Sequence, residues 1–440
     1  NILRGRKGKK YLHRNRFNKV TGSYKEGIYD TLPENGKDLT LTLDIELQEY
    51  AQQLMKGKRG GIVALEPSTG EILALVTAPS YDPNMLVGRK RSKNSVLLFN
   101  DTISKPSYDR GLLAAYPPGS PFKMMNALIG LQENVINQQS SFKCYGGFRY
   151  GNRAGEFMKC HCDIYGRPIK LKTAIARSCN SYFSNTYKRI VEKDNNSSAG
   201  LDNWHKHVSS FGLGNFLGYD LPAGVRGLIP DGDYYNRRLN YSWNGSSIIS
   251  NAIGQGEVLT TPIQLANFTA AIANRGYFYT PHIVKRIDSS FIDNPKYVQP
   301  KQTTINKEHF APVVEAMHEV FKTGTGRWSQ VKGIKICGKT GTAENFIIVE
   351  GKKQQLEDHS ILVAFAPKDN PKIALAVFVE NGGYGSTIAA PITSLLVEKY
   401  INGKISKRNK YRELNMLNMS LQDIYNMQIQ KPLEIASRTK

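Results

Sequence analysis

The chain has 440 residues, of which 40% are hydrophobic, and a formal net charge of +22. That length and apolar content suffice for a sizeable core in one large or two ordinary domains, and exclude a chain too polar to fold. No apolar run approaches the roughly 18 residues of a membrane span, and no nucleic-acid motif accompanies the scattered basic residues.

Residues 1–36 are polar and basic, with nine Lys/Arg against three acids, and read as the end of an extended N-terminal region. Leu39 to Leu43 alternates as a strand does, and Asp44 is placed to cap a helix over 45–55. Gly61 to Glu66 and Glu71 to Val76 flank the turn Pro67-Ser68-Thr69-Gly70 and predict a hairpin. Tyr116-Pro117-Pro118-Gly119-Ser120-Pro121-Phe122-Lys123 opens an apolar helical pattern, with Ser120 expected at the N-cap and Pro121 at the first helical position. An irregular stretch, 137–167, precedes a helix near 171–177 and then Ser178-Cys179-Asn180. Thr261 and Pro262 start a helix to about Asn274, and a second helix runs from about Pro312 to Phe321. Strand-like runs follow at 333–341, 360–366 and 373–380, then a helix over 389–400. Two early strands, three late ones and a mostly helical block between them, with short turns joining neighbours, predict an α+β fold. Its centre would be an antiparallel sheet of about five strands flanked by helices. A basic tail, 404–440, carries Leu414, Leu417 and Leu421 at helical spacing. It is expected to dock on the domain or a membrane and to be dispensable for the chemistry.

Ser120 and Lys123 share one helix face, so a hydroxyl lies beside an amine able to take its proton. A helix N-terminus adds N–H groups for a developing oxyanion. Ser-x-x-Lys occurs four times in this chain, and only this copy opens a long apolar helix. Ser178-x-Asn180 is unspecific alone. Lys339-Thr340-Gly341-Thr342 continues a strand pattern, whereas Lys322-Thr323-Gly324-Thr325 spells the same letters after a helical run and reads as a helix cap and loop.

The three elements occur in the order known from penicillin-binding proteins and class A β-lactamases. Tyr116 to Lys123, Gly338 to Asn345 and Val379 to Pro391 resemble the transpeptidase domain of class B penicillin-binding proteins. The likeness is greatest to the elongation-specific members, penicillin-binding protein 2. It covers roughly residues 37–403, and Leu3-Arg4-Gly5 resembles the end of that family's N-terminal pedestal. The resemblance implies a penicillin-binding/transpeptidase-like domain at 37–403, preceded by a pedestal remnant at 1–36. It implies that Ser120 attacks a D-Ala-D-Ala stem peptide to form an acyl-enzyme, with Lys123 as general base. Ser178 would relay a proton, Asn180 would orient Lys123 and substrate, and Lys339, Thr340, Gly341 and Thr342 would hold the terminal carboxylate. β-Lactams would acylate the same serine. Two alternatives use the same acylation: a D,D-carboxypeptidase, and a β-lactam-sensing or β-lactamase-like domain. A single-pass inner-membrane anchor ahead of Asn1, a periplasmic catalytic domain and a membrane-embedded glycan polymerase as partner are further expectations of the resemblance. Pro121 stands where the family more often has a small hydroxyl residue. His359 is expected to be structural.

Three of the five cysteines, Cys144, Cys160 and Cys162, fall in the irregular stretch with His161. A disulfide, a structural zinc on Cys144, Cys160, His161 and Cys162, and free thiols packed as small hydrophobes all remain open. The chemistry requires no cofactor. The eight histidines include no paired helical motif, which argues against metal-dependent hydrolysis.

Overall fold

The computed structural model describes residues 2–153, 155–349 and 352–427. Its centre is a five-stranded sheet, antiparallel throughout. The strands are β1 (Gly60–Leu65), β2 (Ile72–Ala78), β3 (Cys337–Ala343), β4 (His359–Ala366) and β5 (Ile373–Val379), in the spatial order β3-β4-β5-β1-β2. Two early strands and three late ones therefore form one sheet, as their patterns predict. β3 starts later than its run of letters suggests, because Val331 and Ile334 close a turn ahead of it.

Every residue of β5 and all but His359 of β4 are buried. Such strands read as continuous apolar runs because both faces are covered. Helix α5 (Pro262–Ala273), buried over its whole length, packs on β1, β4 and β5. Helix α7 (Ala389–Asn402) also packs on β4 and β5, and α1 (Ile45–Met55) lies on β2. Each Ile, Leu or Val removed from water here contributes about 1.5–3 kcal/mol. Local chemistry sets the helix starts. Asp44 accepts the Leu47 N–H at 3.0 Å, and Thr261 and Gln264 form a reciprocal capping box.

The helical block supplies α2 (Lys123–Gln132), α3 (Leu171–Ala176), α4 (Asn180–Val191) and α6 (Phe310–Lys322). The stretch 137–167 is more ordered than expected. Ser141–Lys143 pairs with Pro168–Lys170, and Gly147–Arg149 pairs with Phe157–Lys159. No helix among the described residues is long and apolar enough to cross a membrane.

The C-terminal segment is built into the domain as far as it is described. Residues 428–440 of the expected tail lie outside the described residues. Helix α8 (Lys410–Asn418) buries Glu413 and Met416 and leaves Leu414 exposed. The Tyr50 hydroxyl donates to Glu413 at 3.0 Å, and the Lys58 ammonium donates to the carbonyls of Met416 and Met419 at 2.7 and 2.9 Å. Tyr425, 1% exposed, accepts the Arg59 N–H and donates to the Glu380 carbonyl. The expected boundary at 403 is thus not the edge of a detached tail. The domain is the surface on which residues 404–427 dock, because they supply acceptors to the Tyr50 hydroxyl, the buried Lys58 ammonium and the Arg59 N–H.

We expect Tyr425→Ala to destabilise the fold by about 3–5 kcal/mol through the cavity it leaves, and Tyr425→Phe by about 1 kcal/mol. Denaturant midpoints measure both. Small, equal effects would show that the segment adds nothing to stability.

Candidate active site

Ser120 opens a single 3-10 turn, Ser120–Phe122, that runs straight into α2. Gly119 holds the cap position, and Ser120 makes no capping bond. The expectation of a Ser120 N-cap is corrected here: its hydroxyl is turned away from the helix and into a cleft. The lead-in is pinned by reciprocal backbone bonds between Tyr116 and Thr260 at 2.8 and 2.9 Å. Pro121 is buried against β3. A Cβ on Gly341 would lie 2.5 Å from Pro121 Cδ, so glycine is required where the serine turn crosses the strand.

Lys123 follows one turn later and is 0% exposed. Its ammonium donates to the Ser178 carbonyl at 2.8 Å, Ser178 Oγ at 3.0 Å and Asn180 Oδ1 at 2.6 Å. Three donors meet three acceptors, which matches a resting ammonium. Burial pushes its pKa down to about 8, with the neighbouring cysteines acting in the opposite direction. Ser178 sits in the left-handed region at φ 56°, between α3 and α4. This conformation aims its hydroxyl at Ser120, to which it donates at 3.0 Å. A continuous path therefore runs Lys123 Nζ, Ser178 Oγ, Ser120 Oγ.

Asn180 begins α4 and is fixed from two sides, donating its side-chain N–H to the Lys159 carbonyl at 2.7 Å and its backbone N–H to Cys160 Sγ at 3.2 Å. Lys339 is 0% exposed on β3, and burial first, then the charge of Lys123, holds its pKa well below the usual lysine range. β3 is an edge strand, so one side of its backbone is unpaired in the sheet. Ser120, Ser178, Asn180, Thr340, Gly341 and Thr342 line one cleft of about 660 Å³. The sequence motifs thus converge, although Ser120 and Lys339 are more than 200 residues apart.

His359 packs beneath this site. Its ring meets Tyr116 and Phe378 at 5.8 and 5.3 Å, its Nδ1 accepts the Asn381 N–H, and burial lowers its pKa to about 4. It is neutral packing, as expected. Tyr116 stacks on Phe378 and donates to Glu380 at 2.6 Å, and Glu380 also takes Arg110 at 2.8 Å. That partly buried Tyr116–Glu380–Arg110 network carries no motif and is not legible in the sequence.

The cysteine cluster differs from the expected set. The sulfurs of Cys144, Cys160, Cys162 and Cys179 all lie within 4.8 Å of one another. His161 is instead exposed and lines the catalytic cleft. Past the strand end at Lys159, Cys160 and Cys162 turn in to the cluster and His161, between them, turns out to the cleft. Cys179 takes the fourth place from the turn that starts α4, where it accepts the Tyr182 N–H. The nearest pairs, Cys160–Cys179 and Cys144–Cys162, are 3.8 and 3.7 Å apart, and all five cysteines are unbonded. Four sulfurs held about 2.3 Å from one zinc are about 3.8 Å apart, so the donor set fits a tetrahedral ion.

Residues 60–398 match the family model described as the penicillin-binding protein transpeptidase domain. The chain is 35% identical over 366 residues to the peptidoglycan D,D-transpeptidase MrdA of Acinetobacter baumannii, covering 81% of this chain and 53% of that one. It spans about half to three fifths of the length of the first curated relatives it matches. Among solved structures it is similar to Pseudomonas aeruginosa PBP2 in complex with WCK 5153, with 34% identity, a TM-score of 0.73 and coverage of 86% of this chain and 79% of that one. It is also similar to the Helicobacter pylori PBP2 in complex with MreC, with 27% identity, a TM-score of 0.74 and coverage of 92% and 71%. A serine turn, the Ser178–Asn180 segment and the Thr340–Thr342 strand end around one cleft, backed by a buried lysine on Ser178 and in a chain matched to this family over 60–398, place the protein in the penicillin-binding protein transpeptidase family.

Proposed function

We propose that this chain carries the catalytic domain of a serine D,D-transpeptidase that cross-links peptidoglycan stem peptides in cell-wall elongation and is the target of β-lactams. The observation that supports it most is the path from buried Lys123 through Ser178 to Ser120. With Lys123 neutral, the hydroxyls reverse: Ser120 donates to Ser178, and Ser178 donates to the amine. Attack of Ser120 Oγ on the D-Ala-D-Ala carbonyl passes its proton to Ser178 Oγ, whose own proton goes to Lys123 Nζ. The C–N bond breaks as the departing amine takes a proton back along the same path. The amine of a second strand then attacks the ester carbonyl and gives up a proton to the same path, and the Ser120 Oγ–C bond breaks as Ser120 takes a proton back, leaving the new amide and free enzyme. The N–H groups of Ser120 and Thr342 serve the oxyanion, each contributing about 3 kcal/mol. Lys339, Thr340 and Thr342 hold the substrate carboxylate. The free edge of β3 offers backbone groups to an extended peptide.

The elongation role rests on relatives named MrdA and PBP2. The Helicobacter pylori relative was solved with MreC, and another similar structure belongs to a peptidoglycan synthase complex of polymerisation and crosslinking. By analogy the partners here are a membrane-embedded glycan polymerase and a protein like MreC, with the anchor upstream of this sequence and the cleft in the periplasm.

A structural zinc on Cys144, Cys160, Cys162 and Cys179 is part of this reading. The ion would cross-link the 144–162 loop to the turn that presents Ser178 and Asn180. It takes no part in bond breaking.

We expect benzylpenicillin to add its mass to Ser120, located by peptide mapping. Because Lys123 acts unprotonated and its pKa is lowered to about 8, the acylation rate should rise with pH and level off above that value. An adduct at Ser140 or Ser329, or a rate falling between pH 6 and 8, would refute this account. Metal analysis of purified protein should find one zinc per chain, lost in Cys179→Ser together with several degrees of thermal stability. Zinc-free protein with five titratable native thiols would refute the metal reading.

A further inference from the structure

The second Lys-Thr-Gly-Thr, residues 322–325, does more than end a helix. Helix α6 packs on both β3 and α3, so its C-terminus arrives between the strand that carries Lys339 and the helix that leads to Ser178. Thr323 is the C-cap, as a cap-and-loop reading requires. Beyond it, a Cβ on Gly324 would lie 2.3 Å from the Ala176 carbonyl oxygen, so only glycine permits this approach. Thr325 donates its backbone N–H to that same carbonyl at 3.2 Å. Its hydroxyl lies 2.5 Å from the hydroxyl of Thr340. Thr325 and Thr340 both line the catalytic cleft, and among the described residues neither hydroxyl has another side-chain partner.

We propose that Thr325 is a positioning residue that presents the Thr340 hydroxyl as a donor to the substrate carboxylate. This deepens the transpeptidase reading and rests on it. A hydroxyl has one proton and two lone pairs. If Thr340 donates into the cleft, the bond to Thr325 is satisfied only with Thr325 as donor. An anionic ligand thus fixes the direction of the chain, Thr325 to Thr340 to carboxylate, and each bond polarises the next. A neutral ligand sets no such direction. The bond from Thr325 to Ala176 also ties this pair to the segment bearing Ser178, so carboxylate recognition and the nucleophile share one support.

The test compares benzylpenicillin with its methyl ester, which keeps the reactive ring and removes the charge. Thr325→Val keeps the shape and removes the donor. We expect it to lower the second-order acylation constant for benzylpenicillin about five- to tenfold, to leave the methyl ester unchanged within about twofold, and to be reversed by Thr325→Ser. An equal loss with both compounds, no loss with the free acid, or no rescue by serine would overturn the proposal. Thr325→Ala gives the same comparison should the valine variant fail to fold. Failure of the wild-type chain to form any Ser120 adduct would instead refute the transpeptidase reading, so the two failures are distinguishable.

Discussion

The site depends on one constraint: an amine held without water beside three acceptors. Lys123 lies fully buried among the Ser178 carbonyl, the Ser178 hydroxyl and Asn180. Desolvation lowers the cost of losing its proton, and the hydrogen bonds keep it pointed at Ser178. Lys339, equally buried, adds a second reason for one of the two amines to be neutral. An exposed lysine at the same position would stay protonated and could not act as a base at neutral pH.

Rigid elements keep that geometry. Ser120 and Lys123 are on one helix start, whose proline crosses β3 at Gly341. Ser178 is set by its left-handed backbone and by the helices on either side. Asn180 is tied to Lys159 and Cys160, so the cysteine loop is part of the support of the catalytic segment. On the far side, Glu380 draws together Tyr116, Arg110 and, through its carbonyl, Tyr425. The C-terminal segment is thereby continuous with the lead-in to the nucleophile.

What the sequence made legible follows from how local each signal is. The five strands and the helices with Asp44 and Thr261 caps are encoded within a few residues, and they were readable. The three motifs were readable because their letters and contexts are distinctive. Long-range pairings were not. Nothing near Cys179 announces that it joins cysteines 17 to 35 residues earlier, and His161, a candidate ligand by its place between two of them in sequence, faces the other way. Ser120 has the letters of a cap because the rule for helix starts ignores a competing partner 58 residues on. The role of Thr325 was hidden by the same limit: its letters describe a helix end, and its neighbour Thr340 is supplied by a strand.

The most direct measurement of the central claim is the titration of Lys123 itself, followed by nitrogen-15 NMR of lysine side chains in the native protein and in Lys123→Ala. The account predicts that an amine titrating near pH 8 is missing from the variant spectrum, while the Lys58 amine, which burial also lowers to about 8, remains in both. Assignment of Lys123 to a resonance titrating with ordinary lysines, about pH 10.4, would contradict it.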